Sequence, residues 1–176
     1  MRADDQNGGT TDQIITVTIT NVNEFAPVFA SSATADVAEN TATSIVVLDV
    51  DATDADTSET VTYSFGGGAD DGDFTLDSNT GELKFAVSPD FEAPADADTN
   101  NVYVVKVTAD DNNGNTTTQD ITITVTAEND NAPVFSSGST ASVLENTTAV
   151  IDVDATDADD PAQTVIYSIV PGGDGA

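Results

Sequence analysis

Residues 102–126, VYVVKVTADDNNGNTTTQDITITVT, contain the pattern that decides the fold. Apolar residues occupy every second position in two runs, with Tyr103, Val105, Val107 and Ala109 in the first and Ile121, Ile123 and Val125 in the second. A period of two is typical of a β-strand with one buried face. Residues 110–114, between the runs, have some likeness to an EF-hand loop, but no helical pattern flanks them, so we predict a turn.

Shorter runs predict further strands at 46–53, 60–65, 73–76 and 82–87. Residues 77–81 join the last two, and their Asn and Gly suit a tight hairpin. About seven short strands and no long amphipathic helix predict an all-β fold, a seven-stranded antiparallel β-sandwich with Greek-key connections. The aromatic residues that we expect mostly in its core are Phe29, Tyr63, Phe65, Phe74, Phe85, Phe91 and Tyr103.

The composition excludes several classes of function. Among 176 residues there are 32 Asp and Glu but only 3 Lys and Arg, so the formal net charge is −29. Nucleic acid and anionic membranes need a basic surface, so we expect neither as a partner. The absence of Cys and His from the sequence excludes disulfides, the usual zinc sites and a histidine base. No apolar run approaches the roughly 18 residues of a membrane span, so direct membrane insertion is not expected.

The sequence repeats itself. Residues 4–29 align without gaps with residues 110–135, and VAENTA around Glu39 returns as VLENTT around Glu145. We therefore predict the last strand and linker of one repeat at 1–25, a complete repeat at 26–131, and the first part of a third repeat at 132–176. Such a chain resembles a window of a longer tandem array.

Acidic residues gather where strands are predicted to end. They are Glu39, Asp54, Asp56, Asp90, Glu92, Asp111, Glu128 and Asp130. Like charges at such density repel one another unless a cation neutralises them. Ca²⁺ takes six to eight oxygen ligands from carboxylates, amides and backbone carbonyls, and needs no nitrogen or sulfur.

Several motifs in this order resemble a cadherin repeat of the kind found in bacterial surface proteins. They are AEN around Glu39, DATDAD ending at Asp56, FTLDSNTGEL at 74–83, DFE at 90–92, VTADDNNG at 107–114 and AENDNAPVF at 127–135. The resemblance covers the entire chain. It implies sandwiches whose termini lie at opposite ends, with Ca²⁺ bound at the junctions between successive repeats.

The resemblance also assigns ligands to two junctions. To the second junction it assigns Glu39, Asp90, Glu92, Glu128 through its backbone, Asn129, Asp130, Asn131, Asp157 and Asp159. To the first it assigns Asn23, Glu24, Asp54, Asp56 and Asp111. Ala127 and Asn21 replace an Asp of the family pattern in the two linkers, so we expect fewer than three ions per junction. We expect the second junction to be the better occupied.

These observations predict a calcium-rigidified spacer of a secreted bacterial cell-surface adhesin, which supports cell adhesion and whose partners are the adjacent repeats of the same chain. The alternative is a module that binds glycans directly or pairs with another copy of itself, although the chain has no Trp to form a sugar platform. An enzyme is not expected, because nothing marks a substrate cleft around Asp90 and Glu92, the carboxylate pair that hydrolysis would need.

Overall fold

The computed structural model describes residues 1–20, 22–56, 60–148, 151–161 and 163–170; Asn21 and the end of the third repeat, 171–176, lie outside the described residues. In chain order the strands are β1 (Arg2–Asp4), β2 (Thr10–Asp12), β3 (Val28–Phe29), β4 (Thr34–Ala38), β5 (Leu48–Asp49), β6 (Ala52–Thr53), β7 (Thr62–Phe65), β8 (Phe74–Leu76), β9 (Glu82–Phe85), β10 (Val102–Asp110), β11 (Thr116–Thr126), β12 (Val134–Phe135) and β13 (Ala155–Thr156). One 3₁₀ turn covers Asp71–Asp73.

The largest sheet has the strand order β4-β11-β10-β7. β10 and β11 form the long hairpin that the alternating pattern predicts, with Val102 opposite Thr124 and Asp110 opposite Thr116. β7 pairs antiparallel with the second half of β10. β4 is the exception to the antiparallel pattern, because it runs parallel to β11 along the edge of the sheet.

The facing layer contains the sheet β5-β9-β8, with the small sheet β3-β6 beside it. The single strand predicted over 46–53 is wrong in detail, because β5 pairs with β9 whereas β6 pairs with β3. Between the two, Val50 N donates to Gly81 O at 3.0 Å and Ala30 N donates to Asp51 O at 2.8 Å. The chain therefore changes partner strands at this point while remaining extended.

The hairpin predicted at 77–81 joins β8 to β9. Asp77 Oδ1 accepts hydrogen bonds from Asn79 N and Thr80 N, both at 2.9 Å, which closes the turn. Gly81 has φ of 78°, and a Cβ at this position would collide with the carbonyl of Val50. Glycine is required here because a side chain would push the chain at Val50 away from the start of β9 in the same sheet.

The core lies between the layers. The inward-facing residues of β10 and β11 are buried together with Val50, Leu83 and the rings of Phe74, Phe85 and Tyr103. Tyr103 meets both Phe rings edge to face, at centroid distances of 5.6 and 5.2 Å. Six of the seven aromatic residues predicted for the core are buried or packed against it; Phe65, at the end of β7, is 37% exposed.

Two aspartates complete the edge of β10 where β7 ends. The buried Asp70 accepts a hydrogen bond from Val104 N at 2.6 Å through Oδ2, and Asp71 accepts one from Lys106 N at 2.9 Å through Oδ1. These carboxylates accept hydrogen bonds from backbone N–H groups that would otherwise pair with a neighbouring strand. The acid-rich stretch at 70–73 is therefore partly structural.

Several contacts of residues 26–131 recur at the matching positions of the described residues after 131. Ala155 N donates to Tyr167 Oη at 2.9 Å, as Ala52 N donates to Tyr63 Oη at the same distance. Tyr167 is nevertheless 48% exposed, whereas Tyr63 is 7% exposed. The part of the chain that the structure describes contains no helix long and apolar enough to span a membrane.

Candidate metal centres at the repeat junctions

Three carboxylates converge at the second junction. Glu39, Glu92 and Asp130 each offer an oxygen, and these oxygens all lie within 4.8 Å of one another. Glu39 comes directly after β4, Glu92 lies in the loop after β9, and Asp130 lies in the linker after β11. The end of the sandwich thus brings together acids that are up to 91 positions apart in the sequence.

Glu39 is held rigidly, with an exposure of only 3%. Its Oε1 accepts a hydrogen bond from Glu128 N at 2.7 Å, and its Oε2 accepts one from Phe91 N at 2.8 Å. Both donors are backbone groups of the segments that carry the other acids. One side chain therefore orders the linker and the 90–92 loop together.

The next repeat contributes Asp159 from its DAD motif. Asp159 Oδ1 accepts hydrogen bonds from Asp130 N at 3.3 Å and from Asn131 N at 3.0 Å, and Asn131 Nδ2 donates to the same oxygen at 3.1 Å. Asp157 Oδ1 accepts from Asp159 N at 3.1 Å, which fixes the turn between the two acids. Asp159 Oδ2 is buried and has no hydrogen-bond partner among the described residues.

Three predicted ligands of this junction do not point their side chains at the three-acid cluster. Asp90 Oδ1 accepts hydrogen bonds from Glu92 N and Ala93 N, both at 3.1 Å, and so shapes the loop that presents Glu92. Asn129 Nδ2 donates to Gln163 Oε1 of the next repeat at 3.0 Å. Glu128 is exposed and takes part through its backbone.

The electrostatics of the second junction show unneutralised charge. Burial raises the pKa of Glu92, and the neighbouring charge of Glu39 raises it further, although the hydrogen bond from Asp160 N opposes both. Burial also acts to raise the pKa of Asp159, but the hydrogen bonds from Asn131 outweigh it and lower that pKa. The second junction therefore holds the ionised Asp159 together with Glu92, whose negative charge is disfavoured by burial and by Glu39.

At the first junction, too, an Asp accepts hydrogen bonds from two backbone N–H groups of the linker. Asp56 Oδ2 accepts hydrogen bonds from Glu24 N and Phe25 N, both at 2.9 Å, and Asp54 Oδ1 accepts one from Asp56 N at 2.7 Å. Glu24 thus contributes its backbone, while its side chain is exposed. These four residues occupy the repeat positions of Asp159, Asp130, Asn131 and Asp157 at the second junction.

Asp111 joins this junction from the β10–β11 loop, and none of its surface is exposed. Asn23 Nδ2 donates to Asp111 Oδ2 at 2.8 Å across 88 positions of sequence. Burial acts to raise the pKa of Asp111, but hydrogen bonds from the backbone of Asn113 and Asn115 and from the Asn23 side chain outweigh it and lower the pKa to about 2. Asp111 is accordingly ionised at neutral pH.

Three amide side chains that the sequence analysis did not select also bridge the junctions. Asn40 Nδ2 donates to Asp130 Oδ2 at 2.7 Å, Asn115 Nδ2 donates to Phe25 O at 2.8 Å, and Gln163 accepts from Asn129. Asn40 recurs as Asn146 in the third repeat, which is a signal that could have identified it. Asn115 and Gln163 carry no such signal.

The donor set suits a hard cation. The oxygens that the described residues bring to the junctions belong to carboxylates, side-chain amides and the backbone, which is the chemistry that Ca²⁺ prefers. Asp159 Oδ2 at the second junction, and Asn23 Oδ1 and Asp54 Oδ2 at the first, are buried oxygens without a partner in the described part of the chain. A buried oxygen of this kind is stabilised by a cation, and the residues therefore fit the ion.

Comparison with known proteins gives the family. A sequence model of the cadherin domain matches residues 33–126. The chain belongs to the cadherin domain family. Cadherin-23 of Rattus norvegicus is similar to this cadherin chain at 36% identity over 173 residues, covering 92% of the chain and 5% of that protein. Halomucin of Haloquadratum walsbyi is 45% identical over 74 residues, covering 40% of the chain and 1% of that protein.

Among solved structures, Drosophila N-cadherin EC1-4 matches with a TM-score of 0.66 at 31% identity, covering 78% of this chain and 34% of that chain. The cadherin β-sandwich predicted from the sequence is thereby confirmed. Cadherin domains are extracellular adhesion modules, so the chain belongs to an extracellular adhesion family. It spans 5% or less of the length of the two curated relatives.

Proposed function

We propose that this cadherin chain is a calcium-rigidified spacer in the stalk of a bacterial cell-surface adhesin. The observation that carries the proposal is the convergence of Glu39, Glu92 and Asp130 within 4.8 Å at the second junction, beside the unpartnered Asp159 Oδ2. One acid comes from the strand end, one from a loop, one from the linker and one from the next repeat.

Each side chain has a separate task in this proposal. Glu39 and Asp159 hold the linker backbone through its N–H groups and present one face to a cation. Glu92 and Asp130 supply the charge that the cation neutralises. Asp157 and Asp90 fix the turns that carry their neighbours. Bound Ca²⁺ supplies positive charge shared by the two repeats, which opposes bending of the linker.

At the first junction the corresponding ligands in this proposal are Asn23, Glu24, Asp54, Asp56 and Asp111, and the N–H of Glu24 is held by Asp56. Asn129 and Asn131 complete the second junction, where Asn131 already binds Asp159. The two junctions differ in charge, and we place the higher calcium affinity at the second. The partners in this proposal are the adjacent repeats, and the environment is the extracellular surface.

Calcium binding at a junction contributes a substantial part of the free energy of unfolding. Extracellular calcium modules typically bind with dissociation constants of about 10⁻⁴ to 10⁻³ M. At a free calcium concentration of 100 times the dissociation constant, each site adds about 2.7 kcal/mol to the free energy of unfolding. Since small domains are stable by only about 5 to 15 kcal/mol, one occupied junction is a substantial share.

A calcium titration of the chain by calorimetry tests the proposal. We expect binding of Ca²⁺, with Mg²⁺ much weaker, and a lower affinity in Glu39→Gln, which removes charge but keeps an oxygen acceptor. Glu145→Gln is the matched control, because Glu145 occupies the same repeat position but is exposed. Equal affinity in Glu39→Gln and Glu145→Gln would place the ion elsewhere.

A further inference from the structure

The loop between β10 and β11 contains an Asn-Gly pair next to the buried Asp111. Asn113 and Gly114 form this pair, and the sequence has one other, Asn7 and Gly8, at the same position of the preceding repeat. Asparagine is a chemically labile residue, and its lability depends on the backbone group that follows it.

The loop leaves both reacting groups accessible. Asn113 and Gly114 are exposed, Gly114 has φ of 119°, and nothing lies within 4 Å of where a Cβ would stand. Within the described residues Gly114 N makes no hydrogen bond. The amide of Asn113 is held only by a 3.4 Å contact from Nδ2 to Asp111 O. Without a side chain at 114, the backbone nitrogen approaches its neighbour freely.

We propose that Asn113 is a site of self-modification, at which the chain loses its side-chain amide. Gly114 N attacks Cγ of Asn113, a new C–N bond forms, and the bond from Cγ to Nδ2 breaks. Nδ2 leaves as ammonia with the proton from Gly114 N. Water then opens the five-membered imide at either carbonyl and gives aspartate or isoaspartate. The net reaction consumes one water, releases one ammonia and changes no oxidation state.

The preceding repeat has the same arrangement. Asn7 N and Gly9 N donate to Asp5 Oδ1 at 2.8 and 2.9 Å, as Asn113 N and Asn115 N donate to Asp111 Oδ1 at 2.7 and 3.0 Å. Gly8 has φ of 99°, and nothing lies within 4 Å of where its Cβ would stand. Asn7 is therefore an internal reference for the chemistry, in a loop of the same shape.

Modification of Asn113 changes the hydrogen bonds to Asp111. Isoaspartate adds a methylene to the backbone between two N–H groups, those of residues 113 and 115, that hold Asp111 Oδ1. Conversion at 113 therefore weakens the hydrogen bonds by which the loop holds the fully buried carboxylate of Asp111. An effect of this change on calcium binding would rest on the proposed function, whereas the modification and the loss of local stability do not.

The test is an incubation of the full chain in EDTA at mildly alkaline pH, followed by proteolysis and mass spectrometry of every asparagine. We expect loss of the amide at Asn113 and Asn7 before any loss at Asn112 or Asn79, with isoaspartate as a product. In Asn113→Gln, whose longer side chain disfavours the ring, only Asn7 should convert. Conversion of Asn113 no faster than that of Asn112 would overturn the proposal.

A thermal melt in EDTA, before and after the incubation, provides a second readout. We expect the melting temperature of the incubated chain to fall, and that of Asn113→Gln, in which only Asn7 converts, to fall less. Because both measurements exclude calcium, a failure of the proposed calcium function would leave them unaffected. An equal fall in the two proteins would show that residue 113 is not the cause.

Discussion

The two junctions position the linker through the same kind of hydrogen bond, from backbone N–H groups to an Asp, but they differ in their other acidic residues. In each, the second Asp of a DAD motif accepts hydrogen bonds from two linker N–H groups: Asp56 from residues 24 and 25, and Asp159 from residues 130 and 131. The second junction adds Glu39 and Glu92, which come from the body of the complete repeat. The first has instead the buried Asp111, saturated by hydrogen bonds.

Backbone hydrogen bonds therefore position the linker at both junctions without an ion, but they leave the acidic charge of the second junction unbalanced. At the first junction, the amide of Asn23 and the backbone of the β10–β11 loop satisfy Asp111. At the second, the linker acid Asp130 accepts hydrogen bonds from the amides of Asn40 and Asn131 and lies close to the carboxylates of Glu39 and Glu92. The second junction should therefore depend more strongly on calcium than the first.

Removing Glu39 should have the largest effect on this difference. Glu39→Ala leaves Phe91 N and Glu128 N without their acceptor, and we expect it to lower the free energy of unfolding by about 2 to 4 kcal/mol in EDTA. Calcium should restore little of the lost stability, because Glu39 is also a proposed calcium ligand. Urea unfolding followed by circular dichroism measures the free energy of unfolding with and without calcium.

Glu145→Ala is the control for this variant, because Glu145 is exposed at the same repeat position and makes no side-chain hydrogen bond among the described residues. We expect a change within about 0.5 kcal/mol, as for ordinary surface substitutions. A loss in Glu145→Ala as large as that in Glu39→Ala would remove the distinction between the two positions.

A smaller effect is expected from Asn40→Asp, which replaces the donor to Asp130 by a like charge. Asn40 has φ of 59°, a conformation that Asp also tolerates, so backbone strain stays low. We expect a loss of about 1 kcal/mol in EDTA, since the contact is exposed to solvent. Saturating calcium should reduce the loss, because the added carboxylate lies beside the cation site.

The comparison variant is Asn146→Asp, at the same position of the third repeat. Asn146 also has a positive φ, of 65°, and is exposed. It should leave the melting temperature nearly unchanged in both EDTA and calcium. A calcium-independent loss in Asn40→Asp would contradict the contribution of that position to the ion site.

The smallest expected difference is one of pH dependence, and it concerns Asp111 of the first junction. Its pKa in the folded chain is about 2, below the ordinary value of 3.8. A depressed pKa stabilises the fold fully above the ordinary value, and this stabilisation is lost as pH falls through the folded pKa. We expect calcium-free stability to decline between pH 4 and pH 2. In Asp111→Asn, stability measured by urea unfolding should decline less steeply over that range.

Periodicity predicted much of the fold. The alternation at 102–126 is preserved in β10 and β11 because one face of each strand is buried against the core. The division of 46–53 between two sheets could not be predicted, since the same alternation serves either partner. The parallel edge strand β4 is also set by tertiary pairing rather than by local pattern.

The candidate sites were less predictable from sequence. The motifs identified Glu39 and Asp159, which the fold brings to one junction, because acids at strand ends recur in the repeats. They did not show that the Asn129 side chain contacts Gln163. Contacts such as that of Asn115 with the carbonyl of Phe25 join residues 90 positions apart and depend on how two repeats meet.

Hydrogen exchange at the linker amides is the most direct test of a calcium-rigidified junction. We expect calcium to slow exchange at residues 128, 130 and 131, whose N–H groups bind Glu39 and Asp159, far more than at residues 24 and 25, while the amides of β10 and β11 change little. Linker exchange that is the same in calcium and in EDTA would contradict a calcium-rigidified junction.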